Sequence, residues 1–141
     1  GPWGRPDMAM YIFCKKISSG DPIAVFNNGD MARDFTYIDD IVRGVLAALY
    51  KPPCGSDDSV PHRLFNIGNQ RAEPLMRMIE LIEIALGKKA DIKFQAMQPG
   101  DIKESFADIR SISDLTGFKP ETSIEVGIPK FVDWFKEYEG V

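Results

Sequence analysis

An arginine lies at the centre of the segment best suited to do chemistry. Arg33 follows a turn formed by Gly29 and Asp30 and precedes a β-prone run, residues 35–37. Beyond that run, apolar residues recur at helical spacing and predict a helix with one apolar face: Ile38, Ile41, Val42, Val45, Leu46 and Leu49. An arginine fixed between two such elements is suited to hold an anion, because its planar guanidinium offers several donors. The alternative is a solvated surface arginine, which is the commoner case.

Other reactive side chains have simpler explanations. Asp39 and Asp40 could form a catalytic pair of carboxylates, but their place in the first turn of the predicted helix favours a role in satisfying its free backbone donors. His62 is the single histidine of the chain and lies in a polar loop. The two cysteines are far apart, so no metal-like spacing exists, and we expect Cys14 to be a buried thiol within a helix.

Composition and charge narrow the classes of function. The 141 residues are 44% hydrophobic, enough for one domain with its own core. A net charge of -4 with scattered Lys and Arg argues against nucleic acid as a partner. We find no apolar run long enough to span a bilayer and no signal-peptide pattern, so we expect no membrane contact from this portion and a cytoplasmic location.

The periodic pattern predicts helices with a few short strands. Further helices are predicted over residues 8–17, 74–86, 109–116 and 124–138, the first two ended by Gly20 and Gly87. Strands are predicted over residues 22–26, 63–67 and 90–96, and residues 51–61 are predicted to form a mobile loop. So few strands do not make a self-sufficient sheet, and the chain begins within a loop rich in Gly and Pro. We therefore expect an α/β portion of a larger fold that exposes apolar surface when isolated.

Several motifs resemble one family. They are Gly1-Pro2-Trp3-Gly4-Arg5-Pro6-Asp7-Met8-Ala9, residues 22–26 and 29–40, Phe65-Asn66-Ile67-Gly68, and Gln98-Pro99-Gly100-Asp101 with Ala107-Asp108. Together they resemble the C-terminal part of NAD-dependent epimerase/dehydratases, the extended short-chain dehydrogenase/reductases that act on nucleotide sugars, and most of all the UDP-glucuronate 4-epimerases. The resemblance implies an α/β substrate-binding lobe over residues 1–141, with the N-terminal NAD-binding Rossmann domain absent from this chain and a homodimeric parent protein.

The resemblance also implies roles for particular residues. The counterpart of Arg33 contacts the diphosphate of the UDP-sugar, and that of Arg5 lies beside the sugar and its carboxylate. Backbone groups at Phe26, between Val25 and Asn27, would pair with uracil. The counterpart of Asp101 accepts hydrogen bonds from the ribose hydroxyls. Many relatives have Arg where this chain has Gln98, so the grip on phosphate would depend more on Arg33.

The sequence does not supply the catalytic and cofactor-binding motifs of the superfamily. Tyr11 and Lys15 match the Tyr-x-x-x-Lys spacing of the superfamily, but they follow the Gly-Pro-Trp-Gly loop instead of preceding it, so we interpret the match as chance. No Gly-x-x-Gly-x-x-Gly turn occurs, so NAD would be bound by the N-terminal domain and this portion alone should be inactive. The resemblance predicts interconversion of UDP-glucuronate and UDP-galacturonate at C4 by the parent. Alternatives are another UDP-sugar epimerase, 4,6-dehydratase or decarboxylase, or a non-catalytic nucleotide-sugar-binding module.

Overall fold

Five helices and five short strands make up the fold in a computed structural model, which describes residues 4–55 and 60–141. The helices are α1 (Ala9–Ser19), α2 (Ile38–Leu49), α3 (Leu75–Leu86), α4 (Arg110–Thr116) and α5 (Ile124–Glu139). The strands are β1 (Ile23–Val25), β2 (Ala32–Arg33), β3 (Glu73–Pro74), β4 (Ile92–Phe94) and β5 (Glu104–Ser105). Part of the predicted mobile loop, residues 56–59, lies outside the described residues, as do residues 1–3.

The strands form two small sheets. β1 pairs in parallel with β4, with Ala24 opposite Lys93. β2 is the central strand of the other sheet, antiparallel to β3 and parallel to β5. Arg33 therefore lies in the middle strand, with Glu73 on one side and Ser105 on the other. This position brings the loop before β5, which carries Asp101, close to Arg33.

The main core lies between α1, α3 and α5, with β1 against it. Its most deeply buried members come from all four elements: Cys14, Ile17, Ile23, Val25, Met78, Ile79, Ile82, Val132 and Phe135. A smaller second cluster joins α4 to the residues around it: Ile109, Ile112 and Phe118. Left-handed residues end α1 and α3 at Gly20 (φ 76°) and Gly87 (φ 68°), as predicted, because glycine adopts this conformation without steric cost.

One predicted strand is wrong, and the β-prone run before α2 forms no strand. Residues 35–37 are irregular, and the strand of that segment is Ala32–Arg33 instead. Residues 63–67 are also irregular in the structure. A strand requires a partner to accept and donate its backbone hydrogen bonds, and no described segment pairs with residues 63–67.

α2 is amphipathic as predicted, but its apolar face is turned outward. Val42, Val45, Leu46 and Leu49, here called the α2 face, are between 46% and 68% exposed. The buried residues of the helix are Asp40 and Gly44. Gly44 lies against the second cluster so closely that an added Cβ would lie 2.9 Å from Cγ2 of Ile67. The described residues thus expose apolar surface as expected, and the α2 face contributes four neighbouring side chains to it.

Among the described residues, no helix combines the length and apolar character needed to cross a bilayer. Within the same residues, no three His, Cys, Asp or Glu side chains are grouped so that they could hold a metal ion.

Candidate functional site

Arg33 is held by contacts on two sides. Its Nη2 donates to Oδ1 of Asp101 at 2.8 Å, and its Nη1 donates to the backbone oxygens of Ala32 at 2.9 Å and Lys103 at 3.1 Å. The side chains of Arg33 and Asp101 are 28% and 29% exposed, so both remain accessible to a ligand. The guanidinium is therefore oriented before any ligand arrives, which lowers the entropic cost of binding an anion.

Both residues line a cavity of about 410 Å³ between α1 and the β1–β2 segment. Phe26 lines the same cavity, so the structure brings together three of the predicted site residues. Ile12 and Phe13 of α1 and Met31 supply apolar wall, while Lys16 and Asp7 add charge. The volume lies within the range of small-molecule sites, and a mostly apolar wall with a few placed polar groups is typical of them.

Val25 and Asn27 flank Phe26 without entering this cavity. Val25 is fully buried in the main core. Asn27 lies in the tight turn Phe26–Gly29, where its φ of 49° is left-handed, and its Nδ2 donates to the backbone oxygen of Asp30 at 2.7 Å. The turn thus fixes the backbone immediately after β1. The side chains of Val25 and Asn27 therefore have structural roles.

Arg5 lies in a different place. It lines a second cavity, of about 290 Å³, whose wall includes Tyr37 and Trp134. Its guanidinium makes a two-point contact with Asp7, from Nε to Oδ1 at 3.0 Å and from Nη2 to Oδ2 at 2.5 Å. This contact lowers the pKa of Asp7. Phe35 lines both cavities, so Arg5 and Arg33 belong to adjacent cavities that share this residue.

Asp34 is the residue that sequence reasoning missed. Its carboxylate accepts backbone N–H groups from Asn69 at 2.7 Å, Gln70 at 3.0 Å and Ala107 at 3.0 Å, and a hydroxyl from Thr36 at 3.2 Å. Gly68 fits directly against it, since an added Cβ would lie 2.7 Å from Oδ2 of Asp34. Asp34 therefore ties two loops to the segment that carries Arg33. The only local signal was its position beside Arg33, because the donors in these loops lie 35 and 73 residues away.

Asp40 corrects the helix-start interpretation of the two aspartates. It is 1% exposed and accepts backbone N–H groups from Thr122 at 2.9 Å and Glu121 at 3.3 Å. It also pairs with Arg43, whereas Asp39 is exposed. Burial raises the pKa of the Asp40 carboxyl, but these three donors outweigh burial and the net pKa is lowered. Asp40 therefore joins α2 to the segment before α5 instead of capping its own helix.

Two further candidates can be assigned from their surroundings. The hydroxyl of Tyr11 donates to Glu139, and that hydrogen bond, with burial and the charge of Glu139, raises the pKa of Tyr11 to about 12. A catalytic phenolate needs the opposite shift, which supports reading the Tyr11–Lys15 spacing as chance. Cys14 is fully buried, and burial raises the pKa of its thiol to about 12, so it is an inert core residue as expected.

Known proteins share this sequence and fold. The model of the NAD dependent epimerase/dehydratase family matches residues 1–68. UDP-glucuronate 4-epimerase 1 of Arabidopsis thaliana is 41% identical, over 99% of this chain and 35% of its own. The UDP-glucuronate 4-epimerase of Thermodesulfobacterium geofontis is 40% identical, over 97% of this chain and 40% of its own.

A crystal structure agrees with these relatives. UDP-glucuronic acid 4-epimerase from Bacillus cereus, in complex with UDP-glucuronic acid and NAD, superposes with a TM-score of 0.83. It is 33% identical, and the match covers 98% of this chain and 42% of that one. In each case the chain spans less than half of the protein that it matches.

The chain thus corresponds to the C-terminal portion of the NAD-dependent epimerase/dehydratases, as the motifs and the α/β lobe predicted. Within that family, it is similar along nearly its whole length to proteins named UDP-glucuronate 4-epimerase. The predicted family and fold class are confirmed.

The described residues do not provide a site for NAD. A dinucleotide site needs a parallel strand followed by a glycine-rich turn and the start of a helix. Within residues 4–55 and 60–141, four strands have parallel partners, β1, β2, β4 and β5, and none of them leads through a glycine-rich turn directly into an α-helix. This portion does not fit the cofactor.

Proposed function

We propose that this chain is the UDP-sugar-binding portion of an NAD-dependent epimerase that interconverts UDP-glucuronate and UDP-galacturonate at C4. The observation that carries the proposal is the Arg33–Asp101 pair on the wall of the 410 Å³ cavity beside Phe26. One cavity thereby offers a cation for phosphate, a carboxylate for hydroxyl groups and an apolar wall for a base, which are the three chemical features of a nucleoside diphosphate.

Arg33 would bind the diphosphate. Its Nη1 donors are already engaged with the backbone of Ala32 and Lys103, which leaves Nε and the remaining Nη2 hydrogen to meet phosphate oxygens. Asp101 would accept from the ribose hydroxyls through Oδ2, because its Oδ1 already receives Arg33 and the backbone N–H of Ile102. The pair would thus contact two neighbouring parts of one ligand.

The base would lie against the end of β1. Val25 and Asn27 hold the backbone of Phe26 from both sides, the first through the core and the second through its hydrogen bond to Asp30. Backbone groups at Phe26 would then pair with uracil in fixed geometry. Recognition of uracil through backbone groups would tolerate most side-chain changes at these positions.

Arg5 would select the acidic sugar. Its two-point contact with Asp7 shows that the guanidinium can hold a carboxylate in this setting. A uronate carboxylate would replace that of Asp7, and the space between the two cavities at Phe35 would be spanned by the sugar.

A further N-terminal domain would complete the enzyme. Such a domain would cover the exposed α2 face and segment 63–67, which pairs with no described strand. That domain would bind NAD, which supplies the redox chemistry, so residues 1–141 alone would bind UDP-sugar without turning it over. We expect the complete protein to be a cytoplasmic homodimer.

The test has two parts. Calorimetric titration of the 141-residue chain with UDP should show binding, and Arg33→Ala should weaken it about a hundredfold. The complete gene product should then convert UDP-glucuronate to UDP-galacturonate in preference to UDP-glucose, with products separated by chromatography. Turnover of UDP-glucose alone would place the protein with another UDP-sugar enzyme, and UDP binding without turnover by the complete protein would leave a non-catalytic module.

A further inference from the structure

One charge on the wall of the 410 Å³ cavity has no partner among the described residues. The cavity is lined by four charged residues, of which Arg33 and Asp101 pair with each other and Asp7 pairs with Arg5. For the fourth, Lys16, the described part of the chain supplies neither an ion pair nor a hydrogen bond to its ammonium group. A lysine at the C-terminal end of a helix is favoured by the helix dipole, but that does not account for its place on the cavity wall.

Lys16 lies on the side of α1 that faces the cavity. It shares this side with Ala9, Ile12 and Phe13, at the spacing of one helix face. Lys15, the next residue back, is equally charged and exposed but does not line the cavity. The two lysines therefore form a natural pair in which only one can reach a ligand.

Lys16 lies at the end of α1 from which the chain leads into β1. Lys16 is in the last turn of α1, and its backbone oxygen accepts the N–H of Asp21 at 2.8 Å, in the loop that leads directly into β1. Ala24 of β1 lines the same cavity as Lys16, two positions before Phe26. Ala9 begins α1 about 10 Å away along the helix axis, as the rise per residue requires.

We propose that Lys16 is a specificity-determining residue that donates a hydrogen bond from Nζ to O4, the carbonyl oxygen of uracil that cytosine replaces with an amino group. This inference rests on the proposed function, since it assumes that a nucleoside diphosphate occupies the cavity. An ammonium group can only donate. Uracil presents carbonyl acceptors on both sides of its ring, whereas cytosine presents an amino donor in place of one of them, which an ammonium group disfavours. Lys16 therefore favours UDP over CDP.

The experiment compares Lys16→Met with Lys15→Met in the 141-residue chain, titrated calorimetrically with UDP and with CDP. Methionine keeps the length and apolar character of the lysine stem, and circular dichroism melting confirms that each variant is folded. Lys16→Met should weaken UDP binding about tenfold while CDP affinity stays within about twofold, the size expected for one charge-assisted hydrogen bond. Lys15→Met should leave both affinities unchanged.

Three other results would overturn the inference about Lys16. Only one of them would also overturn the proposed function. Unchanged UDP affinity in Lys16→Met would show that Lys16 does not touch the ligand, with the proposed function intact. Equal weakening of UDP and CDP would show a contact with phosphate or ribose instead of the base. Failure of the unaltered chain to bind either nucleotide would remove the proposed function together with this inference.

Discussion

Arg33 and Asp101 form a hydrogen-bonded ion pair at 2.8 Å although 68 positions separate them in the chain. The pairing of β2 with β5 brings them together, because the loop that carries Asp101 leads directly into β5. Each side chain keeps just over a quarter of its surface exposed to the cavity. The pair is therefore both a link between two segments and a pair of groups that a ligand can contact.

Arg33→Lys should weaken UDP binding about tenfold and Arg33→Ala about a hundredfold, since lysine keeps the charge but lacks the planar donors. Arg110→Ala is the matched control, because Arg110 also pairs with an aspartate, Asp108, but on the open surface. Calorimetric titration measures all three. A UDP affinity in Arg33→Ala equal to that of the unaltered chain would show that the cavity does not bind phosphate through this residue.

Asp34→Ala should destabilise the chain by about 3 kcal/mol, because three backbone N–H groups would lose their acceptor at once. Asp21→Ala provides the control, since Asp21 is exposed and its carboxylate makes no hydrogen bond to the described residues. Urea denaturation followed by circular dichroism gives both values. Equal stabilities for the two variants would contradict the role of Asp34 in joining the loops.

Asp40→Asn should lower the free energy of unfolding by about 2 kcal/mol at neutral pH and by progressively less in acid. The pKa of Asp40 is lowered in the folded chain, so its stabilising effect is fully present above the unfolded pKa of about 3.9 and is lost as pH falls through the lower folded value. The measurement is the difference in melting temperature between the variant and the unaltered chain at pH 7 and at pH 3.

Asp39→Asn is the control for that comparison, since the neighbouring carboxylate is exposed and should change stability by less than about 0.5 kcal/mol at either pH. The difference in melting temperature between Asp40→Asn and the unaltered chain could instead stay constant from pH 7 to pH 3. That result would argue against the charged form of Asp40 as the stabilising species.

Val45→Ser with Leu49→Ser should reduce self-association of the isolated chain while changing its stability little, because both side chains are more than half exposed. Sedimentation velocity over a range of protein concentrations measures the association. Ile84→Ser is the control, since Ile84 is 67% exposed but lies on α3, away from the α2 face. An unaltered chain that remains monomeric at every concentration would contradict the expected association.

The helices could be predicted from the sequence because their signals are local. Apolar spacing placed all five, and Gly20 and Gly87 marked two of the ends, since these features depend only on residues within a few turns. The motifs around Arg5, Arg33 and Asp101 likewise identified the family before any coordinates were needed. The predicted strand over residues 63–67 failed because a strand depends on a distant partner.

The orientation of the apolar face of α2 and the roles of the Asp34 and Asp40 carboxylates were decided only by the tertiary structure. The sequence determined that α2 is amphipathic, but the packing of Gly44 against Ile67 turned its apolar side outward. Asp34 and Asp40 have the same chemistry as their neighbours in the chain, and they differ only because backbone donors from residues 69 and 122 meet them in space. The cavity that joins Phe26, Arg33 and Asp101 arises in the same way, since hydrogen bonds between remote segments set distances that local sequence does not encode.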